Sequence, residues 1–121
     1  DVYKRQRYYG VGQIKVAAAR DVFKHFAEDF PGWSDKTDEE IIAYLITDDK
    51  FNIRVASKYL LHMQHNKQTN YVRPLNYAIT AYNRGLGNTF GTDYNNWHYT
   101  VSVNKYKDGF IKDFNKEFAL R

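Results

Sequence analysis

Gln13 closes a short glycine-rich stretch, Gly10-Val11-Gly12-Gln13. Gly10 and Gly12 permit a backbone path that side chains would block, and they let a ligand come close to the main chain. The Gln13 amide carries both donor and acceptor, a pair suited to hydroxyl and acetamido groups. Tyr82 lies four residues after Ala78, on the apolar face of a helix-like stretch that ends at Gly85. A buried phenol needs a hydrogen-bond partner, so a polar cleft is a natural destination for it. In a chain with 11 Tyr the plain alternative is a core aromatic.

Other residues with chemical potential fall into no working arrangement. His62 and His65 are three apart, on one face of an expected helix. No third ligand stands at a recognisable spacing and no HExxH is present, so a surface helix with two histidines is the better reading. Ser34, Ser57 and Ser102 stand in no nucleophile motif, and there is no phosphate loop. Asp48 and Asp49 are adjacent, so on a helix they point apart; they fit a helix start, where acids satisfy free amides. The absence of cysteine excludes disulfides, thiolate metal sites and Cys nucleophiles. Neither metal nor organic cofactor is implied.

The elements expected to position these residues are helices. Val11, Ile14, Ala18, Val22 and Phe26 recur at three- and four-residue spacing, which predicts a helix from Val11 to Phe26. Pro31-Gly32 breaks the chain. Thr37-Asp38-Glu39-Glu40 is a capping-box signature, and a short helix through Ile41, Ile42 and Leu45 should follow. A helix from Asp49 to about Asn66 is expected to bury Ile53, Ala56, Tyr59, Leu60 and Met63. Pro74 suits the first turn of the next helix. Its face runs through Leu75, Ala78, Ile79 and Tyr82, and Gly85 fits the position just past its end. Leu86 to Gly91 reads as a loop. From Asp93 onward, Trp97, Val101, Tyr106, Phe110 and Phe114 predict one or two last helices. The alternation from Thr100 to Asn104 offers a short strand instead, but one without a partner.

A chain of 121 residues makes one domain with room for a core. Its 8 Phe, 11 Tyr and 2 Trp against only 2 Pro favour bulky packing over disorder. No apolar run is long enough to span a bilayer. A net charge of +4 suits an anionic partner. Basic charge with many aromatics also raises a nucleic-acid binder, but no clustered Lys/Arg stripe or binding motif accompanies it, so no nucleic-acid partner is expected.

Three blocks carry a family resemblance: Gly10-Val11-Gly12-Gln13, then Asn52-Ile53 with the following Tyr59-Leu60, then Ala81-Tyr82-Asn83-Arg84-Gly85. Their order and spacing resemble the catalytic domain of the soluble lytic transglycosylases, which cleave bacterial murein and are related to goose-type lysozyme. There the same order runs Gly-Leu-Met-Gln, Asn-Ile with Tyr-Leu, and Ala-Tyr-Asn-Ala-Gly. The resemblance covers Tyr9 to Gly85 well and the tail weakly. It implies an all-α, lysozyme-like helical domain over residues 9–121. It also implies cleavage of the MurNAc–GlcNAc β-1,4 bond with a 1,6-anhydro product, peptidoglycan glycan strands as partner, and a place in the periplasm, the cell wall or a phage particle.

By resemblance, Gln13 hydrogen-bonds the sugar beside the scissile bond, and the Tyr82 hydroxyl points toward the acid or the scissile sugar. Lys15 stands where the family often has Met and faces either a wall carboxylate or solvent. Tyr99 corresponds to a family Tyr flanking the peptide-bearing side of the groove. Asn52 and Ile53 are expected to be structural, Asn52 tying down a loop and Ile53 packing in the core. The family's acid is a Glu, usually followed by Ser, upstream of the Gly-x-x-Gln block. None of the nine residues before Gly10 is Glu. The expectation is therefore a domain cut at its N-terminus, with residues 1–8 truncated or non-native and the acid lying before residue 1. A hydrolysing lysozyme of the same fold and a non-catalytic peptidoglycan-binding domain are the alternatives.

Overall fold

The computed structural model describes the backbone of residues 7–66 and 70–119, with side chains except those of Asn66 and residues 109–119. The chain divides into two compact units, residues 1–62 and 63–121.

The first unit opens on a tight turn. Tyr9 and Ile14 exchange both backbone hydrogen bonds at 3.0 Å, and the Gln13 amide donates to Gly10 O across the turn between them. Helix α1 (Val16–His25) follows, then a single 3-10 turn (Trp33–Asp35), α2 (Asp38–Thr47) and α3 (Asp49–Gln64). Thr37 and Glu40 form the expected capping box, each side chain meeting the other's backbone N–H. Asp48 Oδ1 accepts from the Phe51 amide and caps α3. The core gathers Ile14, Ala18, Val22 and Phe23 with Phe30, Ile41, Leu45, Phe51 and Val55. Trp33 stacks on Phe51 at 4.3 Å and meets Tyr44 edge-on at 4.9 Å, which extends the core toward the 3-10 turn. Arg20 locks the other side: its Nε and Nη2 both donate to Asp38 Oδ1, and Nη1 and Nη2 reach Ser34 O and Lys36 O. Thr37→Ala should lower stability by about 1 kcal/mol through loss of the cap, seen as a lower urea midpoint at unchanged slope. An unchanged midpoint would show that the cap contributes nothing.

The second unit holds a two-residue antiparallel ladder, β1 (His65–Asn66) with β2 (Tyr71–Val72). Helices α4 (Leu75–Arg84), α5 (Leu86–Thr89) and α6 (His98–Ala119) follow. Gly85, at φ 91°, separates α4 from α5. Helix α4 buries Ala78, Ile79, Thr80 and Ala81. The buried Thr80 hydroxyl donates to Tyr94 O at 3.0 Å and accepts from the Thr100 hydroxyl, joining α4 to the start of α6. Among the described residues no helix is long and apolar enough to cross a membrane.

The helical character is as expected, while several details are not. Helix α1 begins at Val16 rather than Val11, because Gln13 has φ 49° and residues 9–14 close on themselves. Val11 is 59% exposed, and Ile14 reaches the core from the turn. Ile53 is 55% exposed; its neighbour Asn52 takes the inward position. His65 belongs to β1, so it does not share a helix face with His62, whose ring instead stacks on His25 at 4.2 Å. Pro74 caps α4 from outside, Leu75 is exposed, and the stretch expected as a loop after Gly85 contains the turn α5. Val101 and the 79% exposed Tyr106 lie on the outer side of α6, which also takes up the residues weighed as a strand. Residues 1–6 and the side chains of Phe110 and Phe114 lie outside the described residues.

Candidate functional site

In the first unit the turn at Gly10–Gln13 is held from beneath by one buried side chain. Asn52 is fully buried. Its Oδ1 accepts from the Gly12 amide at 2.8 Å, and its Nδ2 donates to Tyr9 O at 3.1 Å and to Leu45 O at 2.9 Å. Both amide protons and the carbonyl are thus used on backbone groups, which is what allows a polar side chain inside an apolar core. The same contact explains both glycines. A Cβ on Gly10 would sit 2.2 Å from Asn52 Nδ2 and 2.2 Å from Leu45 O; one on Gly12 would sit 2.5 Å from Asn52 Oδ1. At these two positions the turn approaches Asn52 of α3 and the backbone at the end of α2 too closely for a side chain.

On the outer side of the turn, Gln13 is exposed and its Nε2 donates to Gly10 O at 2.9 Å. That bond fixes the sense of the amide, because Gly10 O can only accept. The Gln13 carbonyl oxygen is left outward as an acceptor for a hydroxyl or amide N–H. Lys15 is partly buried at the cap position of α1, with Nζ 4.9 Å from the centre of the Tyr8 ring. An aromatic ring thus lies beside an ammonium that was expected to face either a wall carboxylate or solvent. Tyr59 on α3 is partly buried; burial first, then the Asp21 carboxylate and Tyr8, push its phenol above the usual range. The phenol is therefore a neutral donor at ordinary pH. Sequence reasoning placed Tyr59 only in the core, and nothing in its spacing revealed Asp21 as a neighbour.

In the second unit, Tyr82 is partly buried on the last turn of α4, and Tyr99 is partly buried on the first turn of α6. Burial raises the Tyr99 phenol above its ordinary value. The two tyrosines lie on the two helices that the hydroxyl pair Thr80–Thr100 joins. Asn83, expected only to hold the helix end, reaches further along the chain: its Oδ1 accepts from the Trp97 indole Nε1 at 2.9 Å. The Arg84 guanidinium lies 4.4 Å from the centre of the same indole. The third block therefore organises the residues leading into α6, a role that no spacing in the sequence announced.

Gln13 and Lys15 thus belong to the first unit, Tyr82 and Tyr99 to the second. Several carboxylates of the first unit have structural partners: Asp38 with Arg20, Glu40 in the capping box, Asp48 at the start of α3 and Asp29 with Lys58. No group of three His, Asp or Glu side chains suited to a metal ion occurs among the described residues. No family model matches the chain, and neither a curated protein nor a solved structure is detectably similar to it.

Proposed function

We propose that residues 9–121 form a lysozyme-like domain that recognises peptidoglycan glycan strands, as part of a murein lytic transglycosylase of the cell envelope. The observation that carries this reading is the contact between two of the three sequence blocks. Asn52 of the second block bonds the backbone of the first, 40 residues away, and so presents Gln13 outward on a rigid turn. Blocks that serve one site should be coupled in this way. An outward amide acceptor suits the hydroxyl and acetamido N–H groups of an amino-sugar polymer.

In this reading the chemistry belongs to a Glu upstream of Gly10 in the parent protein. It protonates the glycosidic oxygen as the bond to N-acetylmuramic acid C1 breaks, and an oxocarbenium-like state develops. The resulting carboxylate takes the proton of the sugar's own C6 hydroxyl while that oxygen bonds to C1, giving the 1,6-anhydro product. One protein carboxylate is enough, because the substrate supplies the nucleophile that a second carboxylate provides or activates in the usual scheme. Such an acid must stay protonated near neutral pH, which takes a partly desolvated pocket.

The second reading is a non-catalytic peptidoglycan-binding domain that uses the same outward amide of Gln13. One experiment bears on both. The 121-residue chain, incubated with purified sacculi, should sediment with them but release few soluble muropeptides, since general acid–base help is worth about 10²–10⁴-fold. A parent with Glu-Ser upstream should release anhydro-muropeptides; a parent with another residue there and no release would establish the binding domain. Efficient release by the 121-residue chain would mean that the acid lies within it. Failure to sediment would overturn both readings.

A further inference from the structure

Arg84 departs from the family pattern, which has Ala at this position, and it is mounted in an unusual way. It is the last residue of α4 and partly buried, with its guanidinium 4.4 Å from the centre of the Trp97 ring. That ring is fixed in turn by the Asn83 Oδ1 bond to Nε1 and by His98, whose ring lies 4.4 Å away. Three other arginines of the chain spend their guanidinium donors on protein acceptors. Arg20 reaches Asp38, Ser34 O and Lys36 O; Arg54 reaches Asp29 O; Arg73 reaches Met63 O. Among the described residues, the Arg84 guanidinium meets no acceptor and pairs with no carboxylate; only its backbone carbonyl is used by a side chain, from Asn88 Nδ2 at 3.0 Å. A planar fork of five donors is held in place on an aromatic ring with its hydrogen-bonding edge unspent. The surrounding charge favours an anion: residues 63–121 carry eight Lys/Arg against four Asp/Glu, whereas residues 1–62 carry ten of each.

We infer that Arg84, seated on Trp97, is a binding site for a carboxylate-bearing ligand, gripped by two parallel N–H···O bonds. One fixed guanidinium among the neutral side chains Asn83, Asn88 and Trp97 matches a singly charged carboxylate. Phosphate recognition characteristically clusters several cations. The carboxylate site stands on this geometry alone. That its natural ligand is a free carboxylate of a wall peptide rests on the function proposed above.

The test uses the whole chain, ¹⁵N-labelled, and follows Arg84 Nε–H and Trp97 Nε1–H. The probes are N-acetyl-D-alanyl-D-alanine, its C-terminal amide, and glycerol 3-phosphate. The free carboxylate should shift both signals saturably, with the amide at least about tenfold weaker. Arg84→Gln should abolish the response. Arg84→Lys, which keeps the charge without the fork, should weaken it about tenfold and serves should the Gln variant not fold. Equal response to acid and amide, glycerol phosphate binding as tightly as the carboxylate, or full binding by Arg84→Lys would overturn the inference. Chitotetraose provides a separate arm. Carboxylate binding without any chitotetraose effect at Gly10–Gln13 would leave this site standing and remove the glycan reading; the reverse pattern would do the opposite.

Discussion

Replacing Asn52 with alanine should remove about 3 kcal/mol of stability, a large part of the roughly 5–15 kcal/mol a domain of this size possesses. The substitution removes three hydrogen bonds at once, those to the Gly12 amide and to the carbonyls of Tyr9 and Leu45, the last of them buried; Tyr9 O keeps its bond from Ile14 N–H. Each lost hydrogen bond is worth about 0.5–1.5 kcal/mol, eased where water enters the space left behind. Asn52→Asp at neutral pH should cost at least as much despite its matching shape. The side-chain atom facing Tyr9 O and Leu45 O becomes an oxygen, setting acceptor against acceptor in a buried place. Urea denaturation of the three proteins measures both effects. An Asp variant as stable as the parent would mean that the buried amide does not hold the turn.

Gly10→Ala should be nearly as severe, for a different reason. Gly10 has φ 69°, and its new Cβ would stand 2.2 Å from Leu45 O, a backbone atom at the end of α2 that cannot swing aside as a side-chain tip would. The left-handed backbone alone costs about 1–2 kcal/mol for a residue with a Cβ. The collision adds to it, for an expected total of about 3 kcal/mol or more. Gly32→Ala is the matched control: its φ is 78°, but nothing lies within 4 Å of the added carbon. It should lose only the conformational part, about 1 kcal/mol. Equal losses at the two glycines, measured by thermal melting under identical conditions, would contradict the close packing of the turn against the end of α2.

Sequence made some of this structure legible because some of the physics is local. The capping box at Thr37 and Glu40 and the acid start at Asp48 are satisfied within three residues, so both could be read directly. The alternation of apolar residues failed where a tertiary contact replaced it. Ile14 keeps helical register with Ala18 and Val22, so the pattern runs unbroken through a turn that is not helical. Only the positive φ of Gln13 and the pairing of Tyr9 with Ile14 reveal the break. Asn52 and Ile53 mislead in the opposite sense. An apolar residue beside a polar one suggests that the apolar one faces inward, yet Asn52 is buried because three backbone partners await it and Ile53 is left outside. The seat of Arg84 on Trp97 spans 13 positions with no periodic link, and the sequence offered no signal for it.

The turn at Gly10–Gln13 is the proposed glycan contact, and titration of the ¹⁵N-labelled chain with chitotetraose tests that proposal most directly. The Gln13 side-chain amide and the backbone amides of Gly10, Gly12 and Gln13 should shift together and saturably. Gln13→Ala should weaken binding by about 0.5–1.5 kcal/mol, the worth of one neutral hydrogen bond, with the fold intact. Shifts absent from this turn at saturating sugar, or an affinity unchanged in Gln13→Ala, would contradict the assignment of Gln13 to a glycan strand.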